Sequence, residues 1–266
     1  MAKSRFEYVK QFERENFLLP QTHIVIRVDG KGFHKFADHY RFEKPNDRRA
    51  LTVMNRTAHT MLRQFPDIVL AYGDSDEYLF LMRRDCELFE RREMKLLLTF
   101  SSHMAVNYVL QWNRKFPDRP ITDERIPTFD ARVVTYPNAQ TVRDYFSWRQ
   151  VDCHINNLYN TAFWLLVQKC GMSTAEAEKA LKGTLSSDKN EILFTRCGIN
   201  YNNEPEVFKK GTVLVREYAE WKEPEAELTD RQKQRLLKLR RKATISELHV
   251  DIIKDDFWTE RPWLLR

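Results

Sequence analysis

Hydrophobic and polar positions along the chain follow two periods. From Thr22 to Gly30, in THIVIRVDG, apolar and β-branched residues run almost unbroken and stop at Asp29-Gly30. That reads as a buried strand ended by a turn. GFHKFADHY then turns towards helix, and NDRRALTVMNRTAHTMLRQF is amphipathic with Asn46 or Asp47 as its N-cap. IVLAYG and EYLFLM read as two strands joined by a tight turn, LFERREMKLLLTFSSHMAVNYVLQW as a long helix, and FDARVVTY as a strand. A helical FEYVKQFERENF precedes them all. The order up to Tyr136 is β–α–β–β–α–β, the split arrangement of a ferredoxin-like sheet.

Past Tyr136 the pattern changes. SWRQVDCHINNLYNTAFWLLVQKCG reads as one helix ended by Gly171, STAEAEKAL as a helix with a Ser/Thr cap, and SSDKNEILFTRCG as a third short helix. GTVLVREYAEW is a strand, and TDRQKQRLLKLRRKATISELHV begins highly charged and ends strand-like. The stretch from Glu223 to Lys242 reads as the most mobile part, its charge run a solvated face. The expected class is α+β. A ferredoxin-like (βαββαβ) core occupies residues 1–136, and an extension of helices and strands occupies 137–266.

Composition narrows the setting. The 266 residues, 42% hydrophobic and 31% charged, fit a soluble globular chain of one large domain or two small ones. No apolar run approaches the roughly 18 residues of a membrane helix, so no membrane partner is expected. The start, MAKSRFEYVKQFERE, has neither the apolar core of a secretory signal nor the acid-poor character of a transit peptide. Cys86, Cys153, Cys170 and Cys197 show no zinc-like spacing and read as reduced intracellular thiols. Cytoplasm and nucleus are both open, since KLRRK is basic enough to mimic a nuclear signal. A net charge of +6 suits a polyanionic partner.

Chemistry concentrates at two strand ends. YGDSDEY places Asp74, Asp76 and Glu77 within four residues between two apolar runs. An acidic hairpin turn accounts for some of this, but four polar residues exceed what a two-residue turn requires. A second buried-looking strand ends in Asp29. In a split βαββαβ sheet the first and third strands lie side by side, so Asp29 meets Asp76 and Glu77 across that pair. Such carboxylates repel unless protonated or bridged by a cation. Oxygen ligands suit Mg²⁺, and two ions on such a cluster serve phosphoryl transfer.

DGKGFHKF adds a Gly-rich turn whose backbone N–H groups can face phosphates, although it is not a P-loop. Arg27, Lys31, Lys44 and Lys95 are cations able to neutralise a triphosphate. In CHINNLYNTAFWLL, His154, Asn156, Asn157, Tyr159 and Asn160 form a polar stripe beside an apolar face. That mixture suits RNA, read by hydrogen bonds and stacking. Lys189, Asn190, Asn200, Tyr201, Asn202, Asn203, Lys209 and Lys210 repeat the style further on.

At these residues the sequence strongly resembles the tRNA-His guanylyltransferase family, from about Phe6 to Trp221. The resemblance rests on RVDGKGFHKF, YGDSDEYLF, FDARVV, SWRQVDCHINNLYNTAFW, GTLSSDKNEILF and INYNNEPE, in that order. It implies a polymerase-palm-like core that works in the 3′–5′ direction and adds a guanylate to the 5′ end of tRNA-His. ATP would adenylylate the 5′ phosphate, the GTP 3′-OH would attack, and pyrophosphate would be removed. It further implies Asp29, the Gly30 carbonyl and Asp76 as Mg²⁺ ligands, with Glu77 in support. Asp29, Gly30, Lys31, Gly32, Phe33, His34 and Ser75 would bind nucleotide triphosphate, Arg27 and Lys95 would hold phosphate, and Lys44 and Asp47 would serve activation. His154, Asn160, Lys189 and Asn200 match positions tied to guanylate transfer or tRNA recognition, and Asn202 and Lys209 belong to the same RNA-facing set. A homotetramer, a dimer of dimers binding tRNA across subunits, is implied as well. Two other classes share some of these features. A palm-type nucleotide cyclase needs the carboxylates without HINNLYN, and an RNA-binding module needs no carboxylate cluster.

Overall fold

In the computed structural model, which describes residues 4–218 and 229–266, the apolar run ahead of Asp29 becomes an inner strand, β1 (His23–Gly30). There follow α1 (Phe33–His39), α2 (Arg48–Gln64), β2 (Ile68–Asp74), β3 (Glu77–Met82), α3 (Glu93–Lys115) and β4 (Phe129–Tyr136). The second half holds α4 (Ala139–Gln168), α5 (Thr174–Leu181), α6 (Ser186–Cys197), α7 (Glu206–Lys210), β5 (Thr212–Glu217), α8 (Asp230–Lys242), β6 (Thr244–Leu248) and α9 (Asp255–Thr259). The six strands form one antiparallel sheet in the order β4-β1-β3-β2-β5-β6.

Both faces of this sheet are covered, which is why its inner strands read as unbroken apolar runs rather than as alternation. Ile24, Ile26, Val28, Tyr78 and Phe80 pack with Phe33, Phe36, Met54, Phe100 and Tyr108 from α1, α2 and α3. On the other face Val25, Tyr72, Leu79, Leu81 and Val213 pack with Val142, Phe146 and Cys153 of α4 and with Phe257 and Trp258. A third cluster, with Leu158, Ala162, Leu166, Leu181 and Leu193, joins α4 to α5 and α6. Among the described residues no helix is long and apolar enough to cross a membrane.

Several local expectations change. The helical pattern at the N-terminus is only a six-residue 3₁₀ run, Glu7–Phe12, with none of its residues buried. Among the described residues Phe6, Tyr8, Val9 and Phe12 stay exposed, and a short helix without packing is marginal. The long third helix starts later, at Glu93, because Phe89, Glu90 and Arg91 adopt positive φ. That turn buries the Arg91 guanidinium among the carbonyls of Leu18, Leu19 and Cys86. Conversely, α4 starts earlier, at Ala139, capped by Asn138. The cap of α2 is Asp47 rather than Asn46. The segment assigned as mobile is helical over Asp230–Lys242, while its first residues, and the end of the GTVLVREYAEW strand beyond Tyr218, lie outside the described residues.

Gly73 shows how tightly the Asp74 end of the sheet is packed. A Cβ there would lie 2.2 Å from the Tyr78 ring. That ring is pinned, because its hydroxyl donates to Asn55 Oδ1 at 2.8 Å, and Asn55 in turn donates to Thr212 and Glu247. Gly73→Ala is expected to destabilise the fold by about 1–3 kcal/mol, read as a fall in Tm of several degrees. An unchanged Tm would mean that the Tyr78 ring yields freely.

Candidate active site

Pairing of β1 with β3 sets Asp29 opposite Glu77, and pairing with β4 sets it opposite Asp130. Because side chains alternate along a strand, Arg27, Asp29 and Glu77 share the face covered by α4. Arg27 ion-pairs with both Asp29 and Glu77. From α4, Arg149 Nε donates to the other Glu77 oxygen at 2.7 Å and Nη1 reaches Asp152 at 3.1 Å. Glu77 is therefore held between two guanidinium groups. The exposed Asp130 is engaged by Arg132 at 3.2 Å.

Ser75 and Asp76 form the β2–β3 turn, with Ser75 in the left-handed region at φ 54°. The Gly30 amide donates to the Asp76 carbonyl at 3.0 Å, which draws this turn against the end of β1. Burial, then the neighbouring Asp29 carboxylate, pushes the Asp76 carboxyl up to about 6. Burial also lifts Asp74 to about 6; Glu77 and Asp76 add to this, against a hydrogen bond with Cys153. Burial raises Glu77 as well, opposed by Arg149 and Arg27.

Two close carboxylates, one of them reluctant to ionise, fit a hard divalent cation. Mg²⁺ commonly takes one or two carboxylates and fills its shell with water and phosphate. Asp29, Asp76 and Glu77 lie near enough to act on one another's charge. Among the described residues no group of three or more His, Cys, Asp or Glu is placed to hold a metal. Glu77 is paired with both Arg27 and Arg149.

Beside the turn lies a cavity of about 470 Å³, within the usual range for a small-molecule site. One wall is Gly30, Gly32, Phe33, His34 and Asp74 to Asp76; the opposite wall is the whole stretch from Phe42 to Asp47. Tyr108 from α3, Asn160 and Trp164 from α4, and Val207 and Phe208 close it. Gly30 is required because a Cβ would meet the Phe33 ring at 2.3 Å, and Gly32 because its φ is 67°. The Gly30 and Lys31 amides are already used, by Asp76 and Thr128. The first amides of α1 are the ones left for an anion, since a helix start leaves its N–H groups without intrahelical acceptors.

The family described as tRNAHis guanylyltransferase matches residues 6–137, and the Thg1 C terminal domain matches residues 140–254. A Debaryomyces hansenii protein named tRNA(His) guanylyltransferase is 66% identical over 265 residues, covering the whole of both chains. This chain belongs to the tRNA(His) guanylyltransferase family. A Schizosaccharomyces pombe protein of the same name is 53% identical, with 99% of this chain and 98% of that one covered. The crystal structure of the Saccharomyces cerevisiae tRNA(His) guanylyltransferase matches with a TM-score of 0.77 at 52% identity, over 79% of this chain and 93% of that one. A bacterial tRNA(His) guanylyltransferase-like protein in complex with ATP shares the fold, with a TM-score of 0.72 at 21% identity over 98% and 97% of the two chains.

Seen as a member of this family, the chain gathers some motif residues at the cavity and leaves others elsewhere. Lys44 lies in the wall, its Nζ 3.5 Å from Asp38 and 5.5 Å from the Trp164 ring centre. Asp47 is nearby but fully engaged. It accepts from the amides of Glu43, Arg49 and Ala50 and from the Arg49 side chain. Burial would raise its carboxyl, yet those hydrogen bonds hold it below the usual carboxylate range. It organises the loop and caps α2 from within the cavity wall. Lys31 is exposed and outside the cavity. Lys95 sits in the first turn of α3, thirteen residues before Tyr108, or about 20 Å along the helix, and is not among the residues that line the cavity.

Of the expected RNA-facing residues only Asn160 lines the cavity. His154 is exposed, its ring edge-on to Tyr201 at 5.7 Å. Burial, then Lys209, lowers its pKa, so it is neutral near pH 7. Lys189 Nζ donates to the Thr184 carbonyl at 2.8 Å. The Asn200 side chain accepts from the Asn202 amide at 3.0 Å, and Lys209 Nζ donates to the Asn202 carbonyl at 2.8 Å. These last four residues brace one surface of the second half. Three residues were not singled out from the sequence, Arg149, Trp164 and Tyr108, and Asp74 was noted in the acidic turn without a role. Arg149, Cys153, Asn157, Asn160 and Trp164 recur at helical spacing along α4, a signal present in SWRQVDCHINNLYNTAFW.

Asn157 has a further consequence for the wall. Asn46 donates to its Oδ1 at 2.9 Å, and its amide donates to the Tyr201 hydroxyl at 2.8 Å. The buried Asn157 thus ties the loop from Phe42 to Asp47 to the turn that carries Asn200.

Proposed function

We infer that this chain is a nucleotidyltransferase that adds a guanylate to the 5′ end of tRNA-His, in the 3′–5′ direction, using ATP and GTP. The observation that carries this reading is the cavity of about 470 Å³ bounded by the Asp74 to Asp76 turn and Gly30 on one side and by Lys44 on the other. The tRNA(His) guanylyltransferases of 66% and 53% identity, aligned over essentially their full length, supply the reaction. In the proposed sequence ATP adenylylates the tRNA 5′ phosphate and pyrophosphate leaves. The GTP 3′-OH then attacks the activated phosphate and AMP leaves. Removal of pyrophosphate from the added nucleotide completes the product.

Asp29, Asp76 and the Gly30 carbonyl would hold Mg²⁺, one ion or two. When bound, the ion offsets phosphate charge and polarises the reacting phosphorus–oxygen bonds. The chain does the rest. Arg27 and Arg149 lock Glu77 and thereby the orientation of Asp29. The first amides of α1 and the Lys44 ammonium receive phosphate oxygens from opposite walls. Trp164, Phe42 and Phe208 exclude water from the bound nucleotide. In this reading the strands β4-β1-β3-β2 with α2 and α3 act as a ferredoxin-like palm. Residues 1–136 carry catalysis, and 137–266 contact tRNA and pack on the palm. A homotetramer is supported by an apolar α3 surface, Met94, Leu98, Val106 and Leu110, that this chain leaves exposed.

The test is incubation of 5′-monophosphorylated tRNA-His with α-labelled GTP. Label is expected in the tRNA only when ATP and Mg²⁺ are both present. Free cyclic nucleotide formed without tRNA would point to a cyclase, and tRNA binding without labelling to a binding module.

The Asn157 tie gives a narrower expectation. Asn157→Ala should raise the KM for ATP in 5′-adenylylation about tenfold, because the cavity wall loses its anchor to α4. Tyr201→Phe, which leaves the cavity lining untouched, should raise it in the same direction by less. An unchanged KM in both variants would mean that the loop holds its place unaided.

A further inference from the structure

The helix α8 bears a row of cations that nothing in the nucleotide cavity uses. Arg231, Arg235, Lys238 and Lys242 are all exposed. Their spacing of four, three and four residues places them within about 60° of one another around the helix, in a line about 16 Å long. Among the described residues none of the four has an ion-pair partner. Solvated helix faces usually interleave both signs in i,i+4 pairs, and this one does not. The opposite side of the helix, Leu236, Leu237 and Arg240, is half-buried against the protein. Arg240 there faces Asp85 at 3.9 Å. The stripe therefore lies on the more exposed side of the helix, beside the exposed Leu239.

The position of α8 is equally specific. The buried Arg216 donates from Nη1 to the Arg240 carbonyl and from Nε to the Ile68 carbonyl at 3.0 Å. This anchors the end of α8 at the start of β2. The candidate active site lies at the other end of that strand, at Asp74. Six residues of strand separate the two, about 20 Å. A cation there cannot reach the reacting triphosphate, but it is within reach of the body of a large RNA whose end enters the cavity.

We propose that the outer face of α8 is a docking surface for the phosphate backbone of RNA, and that it holds the tRNA substrate away from its reacting end. The proposal rests on the reading of the chain as an enzyme acting on tRNA. One cation per helical turn, without an anion beside it, is commensurate with a run of phosphates. Such contacts position the nucleic acid without reading its sequence. A membrane surface fits less well, because interfacial helices bury a broad apolar face in lipid, whereas among the described residues of α8 the one exposed large apolar side chain is Leu239.

The test substitutes Arg231, Arg235, Lys238 and Lys242 together by Gln and follows tRNA-His binding by fluorescence anisotropy from 50 to 300 mM salt. The expected result is at least about tenfold weaker binding at the lowest salt. The slope of log Kd against log salt should fall by about 3, since each phosphate contact contributes about 0.7–0.9. The turnover at saturating tRNA, the KM values for ATP and GTP, and the Tm should stay at wild-type levels. A companion variant, Arg231→Lys with Arg235→Lys, should bind as the wild type does, because only the charge is required. Unchanged affinity and slope in the Gln variant, in a preparation whose wild type labels tRNA, would overturn the proposal. So would loss of binding to vesicles of phosphatidylcholine and phosphatidylserine with tRNA binding intact, which would assign α8 to lipid. If the wild type fails to label tRNA but the Gln variant still loses affinity and slope, α8 stands as an RNA surface and only the enzymatic reading falls.

Discussion

Asp76→Asn is expected to abolish guanylate transfer while leaving the protein folded, and above pH 6 more stable than the wild type. Asp76 is one of the two carboxylates proposed to hold Mg²⁺, and both adenylylation and guanylate transfer are phosphoryl transfers. Each step should therefore fall at least about 10³-fold, the scale of losing roughly 4 kcal/mol of transition-state stabilisation. The stability change has the opposite sign. In the folded protein burial and Asp29 raise this carboxyl to about 6, from an ordinary 3.8. A raised folded pKa means that its contribution to stability is intact below about pH 4 and is lost as pH rises through 6. The neutral amide carries no such penalty. In metal-free buffer the Tm of the variant relative to wild type should climb from pH 4 to pH 7, and added Mg²⁺ should narrow the gap above pH 6. Parallel Tm curves across this range, with or without Mg²⁺, would remove Asp76 from the metal site.

The second large effect separates activation from the later attack. Lys44 lies in the cavity wall, while His154 lies outside it, against Tyr201. Lys44→Ala should reduce ATP-dependent activation of 5′-monophosphorylated tRNA-His by about 10²-fold. It should spare tRNA supplied with a 5′ triphosphate, whose pyrophosphate is already a leaving group. His154→Ala should slow transfer to both substrates, because it does not act on the activating ATP. Substitution of exposed or half-exposed side chains typically changes stability by less than about 0.5 kcal/mol, so an unchanged Tm would separate these effects from unfolding. Rescue of His154→Ala by the 5′ triphosphate would contradict the division.

The strand ends were legible because burial on both faces writes itself into the sequence as apolar runs, and Asp29, Asp74, Asp76 and Glu77 interrupt those runs. The adjacency of β1 and β3 follows from the element order, and the observed register puts Asp29 opposite Glu77. What the sequence concealed is how the second half completes the site. Arg149 reaches Glu77 from 72 residues away, and Asn46 reaches Asn157 from 111. Both depend on how α4 crosses the sheet, which no local period records. The donors that hold Asp47 were hidden for a related reason, since the Arg49 side chain and the Glu43 amide meet it only once the loop is folded. The N-terminal residues differ the other way, since their helical spacing is real but their apolar side chains stay exposed among the described residues.

The central claim is that the cavity at the ends of β1 and β2 joins a guanylate to the 5′ side of a tRNA. The most direct measurement is the position of the label after wild-type protein and Asp76→Asn are each incubated with tRNA-His, ATP, Mg²⁺ and α-labelled GTP. The prediction is a wild-type product one nucleotide longer, with the label released from its 5′ terminus on nuclease digestion, and no product with Asp76→Asn. Label at the 3′ end, or equal 5′ labelling by Asp76→Asn, would contradict it.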